Sequence, residues 1–381
     1  MKIAMIIDAW EPIVGGGQIH VRNICEKLIK NKNCEIDLFV RSLKGDDEKI
    51  YNQDEILLDG KLRIIRCGRV KHFFDFSERI LSIYSIFFRV LKENKKQKYD
   101  LIHAHTFLGL LSGKLSSIFL NIPIIATIHG ANLMDVGNKT FYYFIEKFLL
   151  TKLKYNTIIS VGSSFLKYPN VNKNIVVIGN GVNIEEFENL KEEKKEDIYK
   201  ILFVGRLEWT KGIDLLIESI KKIDKNILEE KKVEFHLVGY GYQEDEYKKL
   251  VQKCHLEKYI IFKGKIVGDD LIREYKTSDL FILPSRTEGF GMTIIEAMAS
   301  KLAVISTKCG GPEDIIENGK NGFLIEKENI EDLKNILIDF ITGKISNLDI
   351  IKENRYNTVV NNYTWDIIGD KIYNEYKKIT K

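Results

Sequence analysis

Residues 281–314 read FILPSRTEGFGMTIIEAMASKLAVISTKCGGPED, and this stretch decides the fold. Phe281 to Leu283 is an apolar run of strand length, and Glu288 to Gly291 is a glycine-containing loop. Ile294, Ile295, Met298 and Ala299 then recur at helical spacing before a second apolar strand, Ala303 to Ser306. Strand, loop, helix, strand is the repeating unit of an open parallel sheet, in which ligands bind at the carboxyl ends of the strands. There the following helix presents unpaired amides and the positive end of its dipole, so the loop is suited to an anion or a polyol.

Two carboxylates frame this loop, Glu288 within it and Glu296 on the helix, separated by seven residues. A carboxylate accepts hydrogen bonds from two neighbouring hydroxyls at once, so each can hold a vicinal diol, one on a sugar and one on a ribose. The plain alternative for Glu296 is a solvated helix residue. Its neighbours Ile294, Ile295, Ala297, Met298 and Ala299 are apolar, however, and a carboxylate in such company requires a partner.

The segment EGFGMTIIEAMA, with PSRTEGFG before it and GGPEDII after it, resembles the E-x7-E signature of retaining glycosyltransferases of family 4, also called glycosyl transferases group 1. The resemblance implies an α/β protein of the GT-B fold, two Rossmann-like doubly wound domains facing a central cleft. On this reading residues 1–190 form an acceptor-binding domain and 198–362 a nucleotide-sugar-binding domain. Residues 363–381, introduced by Thr364 and Trp365, form a last helix that crosses back to the first domain.

Length and composition agree with two ordinary soluble domains, at 381 residues, 44% hydrophobic and 29% charged. Cys25, Cys34, Cys67, Cys254 and Cys309 are scattered and form no C-x-x-C, which argues for a reducing, cytoplasmic setting and against structural zinc. MKIAMIIDAW reads as a first buried strand and not as a secretion signal. The apolar region 107–128 is interrupted by Lys114, Asn121 and Pro123, so no membrane span is expected.

Charge is unevenly placed. Residues 61–98 hold eleven Lys and Arg against three Asp and Glu, an excess of +8, while the whole chain carries +4. Within them lies FFDFSERILSIYSIFFRVLK, whose polar residues Asp75, Glu78, Arg79, Ser82, Ser85 and Arg89 recur at helical spacing beside a wide aromatic face. One reading is a core helix with a basic outer side; the other is a helix lying on an anionic membrane, peripheral on the inner face of the cell membrane. Nucleic acid is not expected, because no base-reading motif accompanies the local cluster.

The first half opens with strand Ile3 to Ile7 and the loop DAWEPIVGGG, then a helix from about Gln18 to Ile29. Gly15, Gly16 and Gly17 leave backbone amides beside a helix start, suited to a phosphate. Their spacing is not G-x-G-x-x-G and no acidic residue caps the next strand, so a nicotinamide oxidoreductase is not supported. His20 faces the same crevice or lies on the surface. Strand Leu101 to Ala104 ends at His105 and Thr106, and of the alternating His103 and His105 one reads as a satisfied structural histidine. Strand Ile124 to Ile128 ends at His129 and Gly130, a position suited to touching substrate. In the family the corresponding histidine meets the transferred sugar, and the Gly-rich loop approaches the donor diphosphate. NGVNIEEF, Asn180 to Phe187, resembles the landmark that closes the first domain, with 191–197 as a charged linker.

The second half restarts the plan with KILFVGRLEWTKGIDLLIESIKKI, in which Arg206 and Lys211 stand five residues apart beside Gly205 and Gly212. Two cations at the mouth of a strand and helix suit a phosphate clamp, and the pattern resembles the family's G-R-L-x-x-x-K-G landmark. Gly239 of HLVGYG and Val267 of FKGKIV are implied to line the donor pocket with Glu288, Gly289, Phe290, Gly291, Met292 and Glu296. His20, His105 and Asn180 are candidates on the acceptor side.

The resemblance implies a retaining hexosyl or glycosyl transfer from a UDP- or GDP-linked sugar to a hydroxyl of a glycan or lipid-linked acceptor, in glycan or cell-envelope biosynthesis. His129, Glu288, Arg206 and Lys211 carry the catalysis, with positive charge fixed where the leaving diphosphate gains negative charge. No D-x-D occurs, so no metal and no cofactor is expected, the nucleotide sugar being a substrate. A nucleotide-sugar epimerase or a glycoside phosphorylase shares the fold and stays open as an alternative, as does a non-catalytic nucleotide-sugar-binding protein.

Overall fold

A computed structural model describes residues 1–381 except 14, 46, 47, 73–75, 131–140, 168–171, 191–196, 347 and 381. Most of the expected linker, together with Asp75 and the side chain of Glu78, lies outside the described residues. The chain divides into two units, Met1–Asn180 with Trp365–Lys381, and Gly181–Thr364.

Unit 1 begins β1 (Lys2–Ile6), α1 (Gly16–Lys32), β2 (Glu35–Lys44), β3 (Ile50–Tyr51), β4 (Glu55–Leu57) and β5 (Leu62–His72). It continues α2 (Phe76–Lys96), β6 (Leu101–His105), α3 (Phe107–Leu120), β7 (Ile124–Ile128), α4 (Phe141–Lys152), β8 (Thr157–Ser160) and β9 (Ile175–Val177). Unit 2 contains α5 (Ile184–Asn189), β10 (Tyr199–Val204), α6 (Ile213–Lys221), α7 (Lys225–Glu230), β11 (Val233–Val238), α8 (Glu244–Lys253), β12 (Ile260–Gly264) and α9 (Asp269–Lys276). It ends with β13 (Leu280–Leu283), α10 (Met292–Ala299), β14 (Ala303–Lys308), α11 (Pro312–Ile315), β15 (Phe323–Glu326), α12 (Ile330–Ile341) and α13 (Leu348–Asn362). The last helix, α14 (Trp365–Ile379), belongs to unit 1.

In unit 1 the strands run in the order β4-β5-β2-β1-β6-β7-β8-β9, with β3 beside β2. All pairs are parallel except β2 with β3 and β4 with β5. Right-handed crossovers from β5 to β6, β6 to β7 and β7 to β8 all step the same way, so α2, α3 and α4 share one face of the sheet. The core beneath them is made by Ile6, Phe39, Ile65, Ile86, Val90, Leu110 and Leu150, all buried. On the other face α14 packs along α1, with Lys32 paired to Asp370 at 2.7 Å.

Unit 2 is a six-stranded parallel sheet, β12-β11-β10-β13-β14-β15. Its chain order reverses between β10 and β13. In unit 1 the corresponding reversal falls between β1 and β6. Such reversals open the crevice in which α/β sheets bind ligands.

Two sequence boundaries move. The first domain ends at Asn180 and not at 190, because the Val182 amide donates to the Tyr363 carbonyl at 2.8 Å and Phe187 packs on Tyr275, both contacts within unit 2. The first helix starts at Gly16 and not near Gln18, since the Ile19 amide already bonds the Gly15 carbonyl. Gly16 and Gly17 therefore belong to its first turn.

The basic stretch 61–98 is also less exposed than its count suggests. Arg63 is held by Asp37 and Glu93, Arg66 by Glu55, Arg89 by Asp54 and Glu93, and Lys96 by Glu93. Strand β5 is an interior strand, and cations on it need carboxylates. No helix among the described residues is long and apolar enough to cross a membrane.

Candidate active site

At the reversal point of unit 2 the loop after β10 meets the loop after β13. Gly212, in the left-handed region at φ +67, sits so close to the second loop that a Cβ would lie 2.1 Å from the Pro284 carbonyl oxygen. The Arg286 amide donates to the Thr210 carbonyl at 2.8 Å. The Arg286 guanidinium forks onto Asp214 at 2.8 and 2.6 Å, donates to the Trp209 carbonyl at 2.7 Å and stacks 4.6 Å from the Trp209 ring centroid. These bonds place Lys211 over Glu288, with Nζ 2.5 Å from Oε2 and both side chains largely buried.

The Glu288 loop is fixed from its other side. The Gly311 amide donates to the Glu288 carbonyl at 2.8 Å, and a Cβ on Gly311 would fall 2.3 Å from Phe290 Cα. This explains the glycines of GGPED: the two loops lie backbone to backbone. Gly291, at φ +103, then turns the chain into α10, whose first turn has no capping side chain and no acidic residue. Its amides therefore face the loop without a partner of their own side-chain type. The Phe290 ring is buried against Tyr363, so only its backbone can meet a ligand; Gly289 and Met292 are half-buried at the same end.

Glu296 does have the partner its apolar neighbours require. The buried Tyr275 hydroxyl donates to Oε2 at 2.7 Å. Burial pushes this carboxyl above the ordinary carboxylate range, the Tyr275 bond pulling it back and Glu186 adding to the rise. The solvated reading of Glu296 is thus not the one the fold adopts.

Arg206 is exposed and pairs with Glu208 at 2.8 Å, whereas Lys211 pairs with Glu288. Gly239, at φ +136, lies against the Gly205 carbonyl, where a Cβ would come within 1.9 Å. Val267 is exposed beyond β12.

In unit 1 the reversal point gathers histidines. His105 ends β6, His129 follows β7 and His20 sits in α1, and all three rings lie together. His105 Nδ1 is 3.0 Å from His129 Nε2, and His20 Nδ1 is 2.7 Å from Asn180 Oδ1. The His20 and His129 rings meet edge to face at 4.8 Å, and a Cβ on Gly17 would stand 3.4 Å from the His129 ring. His20 is fully buried, which settles against its surface reading. His103 is the satisfied structural histidine, bonded to the Tyr376 hydroxyl at 2.5 Å and to Thr127 Oγ1 at 2.7 Å.

Burial holds the His20 imidazolium pKa down at about 4, against the raising bond to Asn180, and holds His105 and His129 well below the ordinary value. Burial thus favours the neutral form of all three rings, which can offer hydrogen bonds but no charge. His20 Nε2, His105 Nε2 and His129 Nδ1 remain buried without a protein partner. One ring nitrogen from each lies within 4.8 Å of the others, a donor set that would fit a transition metal or the hydroxyls of a sugar.

Sequence reasoning passed over two residues. Arg286 carries the clamp described above. Asp8, at the end of β1, is buried and accepts the Thr106 hydroxyl across the reversal point. The available signal was a charged residue just past an apolar strand, directly after Ile7 for Asp8 and three residues beyond Leu283 for Arg286.

The profile described as Glycosyltransferase Family 4 matches residues 14–186, and that described as Glycosyl transferases group 1 matches residues 184–357. An uncharacterized glycosyltransferase of Methanocaldococcus jannaschii is 30% identical over 349 residues, covering 90% of this chain and 89% of its own. The UDP-Gal:alpha-D-GlcNAc-diphosphoundecaprenol alpha-1,3-galactosyltransferase of Escherichia coli is 28% identical over 303 residues, 74% of this chain and 76% of its own. The structure of sucrose-phosphate synthase from Thermosynechococcus elongatus aligns with a TM-score of 0.80 at 21% identity, covering 99% of this chain and 98% of that one. Two profiles that meet end to end, and a glycosyltransferase relative spanning nearly the whole length, make this chain a member of the glycosyltransferase family 4 group with the GT-B fold.

Proposed function

We propose that this glycosyltransferase moves a sugar, with retention of anomeric configuration, from a UDP- or GDP-linked donor to a hydroxyl of a glycan or lipid-linked acceptor. The observation that carries the reading is the Lys211–Glu288 contact at the amino end of α10. Lys211, Arg206 and the α10 amides of unit 2 supply positive charge for a leaving diphosphate, so that protein groups fill the place of a metal. Glu288, already engaged by an ammonium, is a better holder of sugar hydroxyls than a nucleophile, which favours attack by the acceptor on the leaving-group side over a covalent intermediate. Glu296 holds the ribose diol. His129, neutral and held by His105, offers a ring nitrogen to a hydroxyl of the transferred sugar. The relative named for a diphosphoundecaprenol acceptor supports a lipid-linked acceptor, and with it a peripheral place for the chain on an anionic membrane through residues 61–98.

The test is donor cleavage by the purified full chain with UDP-, GDP- and ADP-sugars, chelator present throughout. The expected result is slow release of free sugar of retained configuration from a UDP- or GDP-sugar. Cleavage that requires added metal, inversion of configuration, or conversion to another nucleotide sugar without hydrolysis would each overturn the assignment.

A further inference from the structure

We propose that the outward face of α2, α3 and α4 is a docking surface for an anionic lipid bilayer; this deepens the transferase reading, since it sets unit 1 beside a lipid-linked acceptor. Helix α2 buries Ile83, Ile86 and Val90 towards the sheet, which completes its core duty. Its opposite side is apolar as well, with Tyr84 and Phe88 exposed, and Phe88 is 64% accessible. Neighbouring α3 does the same: Leu115, Ile118 and Phe119 point outwards, the last two at 66% and 72%. Phe148 extends the face onto α4.

The face is continuous, because the Phe87 ring touches Phe88 at 5.1 Å and Phe119 at 5.8 Å and so bridges two helices. Exposed aromatic side chains so grouped on a water-facing surface mark an interaction site. Charge identifies the occupant. Among the described residues, every exposed charged side chain on these three helices is a lysine: Lys92, Lys95, Lys96, Lys147 and Lys152. An apolar aromatic face with ammonium groups on long stems matches acyl chains beneath phosphate headgroups. A second copy meeting this face about a two-fold axis would set lysines against lysines.

The experiment is cosedimentation of the full chain with vesicles of phosphatidylcholine alone, or mixed with phosphatidylglycerol, at low and high salt. Binding to the mixed vesicles, weakened by salt, is expected. Phe88→Ser and Phe119→Ser are exposed changes that leave the unfolding temperature in place; combined, they are expected to weaken vesicle binding by about tenfold or more. Absence of binding to the mixed vesicles, equal binding by the double variant, or a dimer in solution that Phe119→Ser dissociates would overturn the proposal. Donor hydrolysis needs no vesicle, so its retention alongside failed sedimentation would sink this inference and leave the transferase reading standing. Loss of hydrolysis with vesicle binding intact would do the reverse.

Discussion

Lys211 and Glu288 are 77 residues apart in sequence, and in the structure their charged ends form a 2.5 Å ion pair. The pair is shielded from solvent and lies where the loops after β10 and β13 meet. Each side chain holds the other in place. Glu288→Gln and Lys211→Ala are each expected to lower donor cleavage by roughly 100-fold or more, the scale of losing one charge-stabilising group. Turnover of a UDP- or GDP-sugar under saturating donor checks this; wild-type turnover in either variant would remove the pair from the mechanism.

Glu296 predicts a separation of stability from binding. Its folded pKa is raised by burial, so its contribution to stability is full below the ordinary carboxylate range and is lost as pH rises above it. At pH 7 the charged form is therefore a cost to the fold. Glu296→Gln keeps an oxygen to accept from Tyr275 and removes that cost. An unfolding temperature higher by about 2 °C, together with nucleotide-sugar binding about tenfold weaker, is expected from differential scanning fluorimetry with and without donor. Unchanged donor affinity would make Glu296 a structural residue only.

The histidine cluster sets an acid limit on unit 1. His20 is held neutral down to about pH 4, while in the unfolded chain it takes a proton near 6.5. The unfolded state thus binds more protons between these values, and folding stability falls as pH falls through that window. The loss from His20 alone is at most about 3 kcal/mol, with His105 and His129 shifted in the same direction. Urea unfolding at pH 7 and pH 5 should show it, and His20→Asn should flatten the dependence.

Arg286 makes its contribution through Lys211. Lysine keeps the charge at that position but lacks the planar fork that grips Asp214, so Arg286→Lys should loosen the Trp209–Lys211 turn. Turnover about tenfold lower with near-normal donor affinity is the expected split, read from kcat and KM; a change confined to KM would place Arg286 in the binding surface instead.

These residues show how far the linear sequence carries. The strand and helix periods around Ile294 and Met298, and the glycines beside Glu288, are local signals, and β13, α10 and β14 follow them closely. The resemblance in EGFGMTIIEAMA added the family, which the matched profiles show. What could not be read is non-local. Tyr376 reaches His103 from 273 residues away, and His20 finds Asn180 across 160. No period or motif encodes such partners; they exist only once the sheet order is set. The sequence of α2 left two readings open for a related reason, since an apolar run looks the same on a core helix and on a helix lying at a surface.

Because α14 belongs to unit 1, that unit is discontinuous, enclosing the whole of unit 2 between its two pieces. During synthesis, residues 181–364 are complete and free to fold while the first 180 still lack Tyr376, the hydroxyl that His103 needs, and the helix that covers α1. Residues 181–364 can therefore close their sheet before unit 1 is complete, and His103 gains its Tyr376 partner only after residues 365–379 have followed.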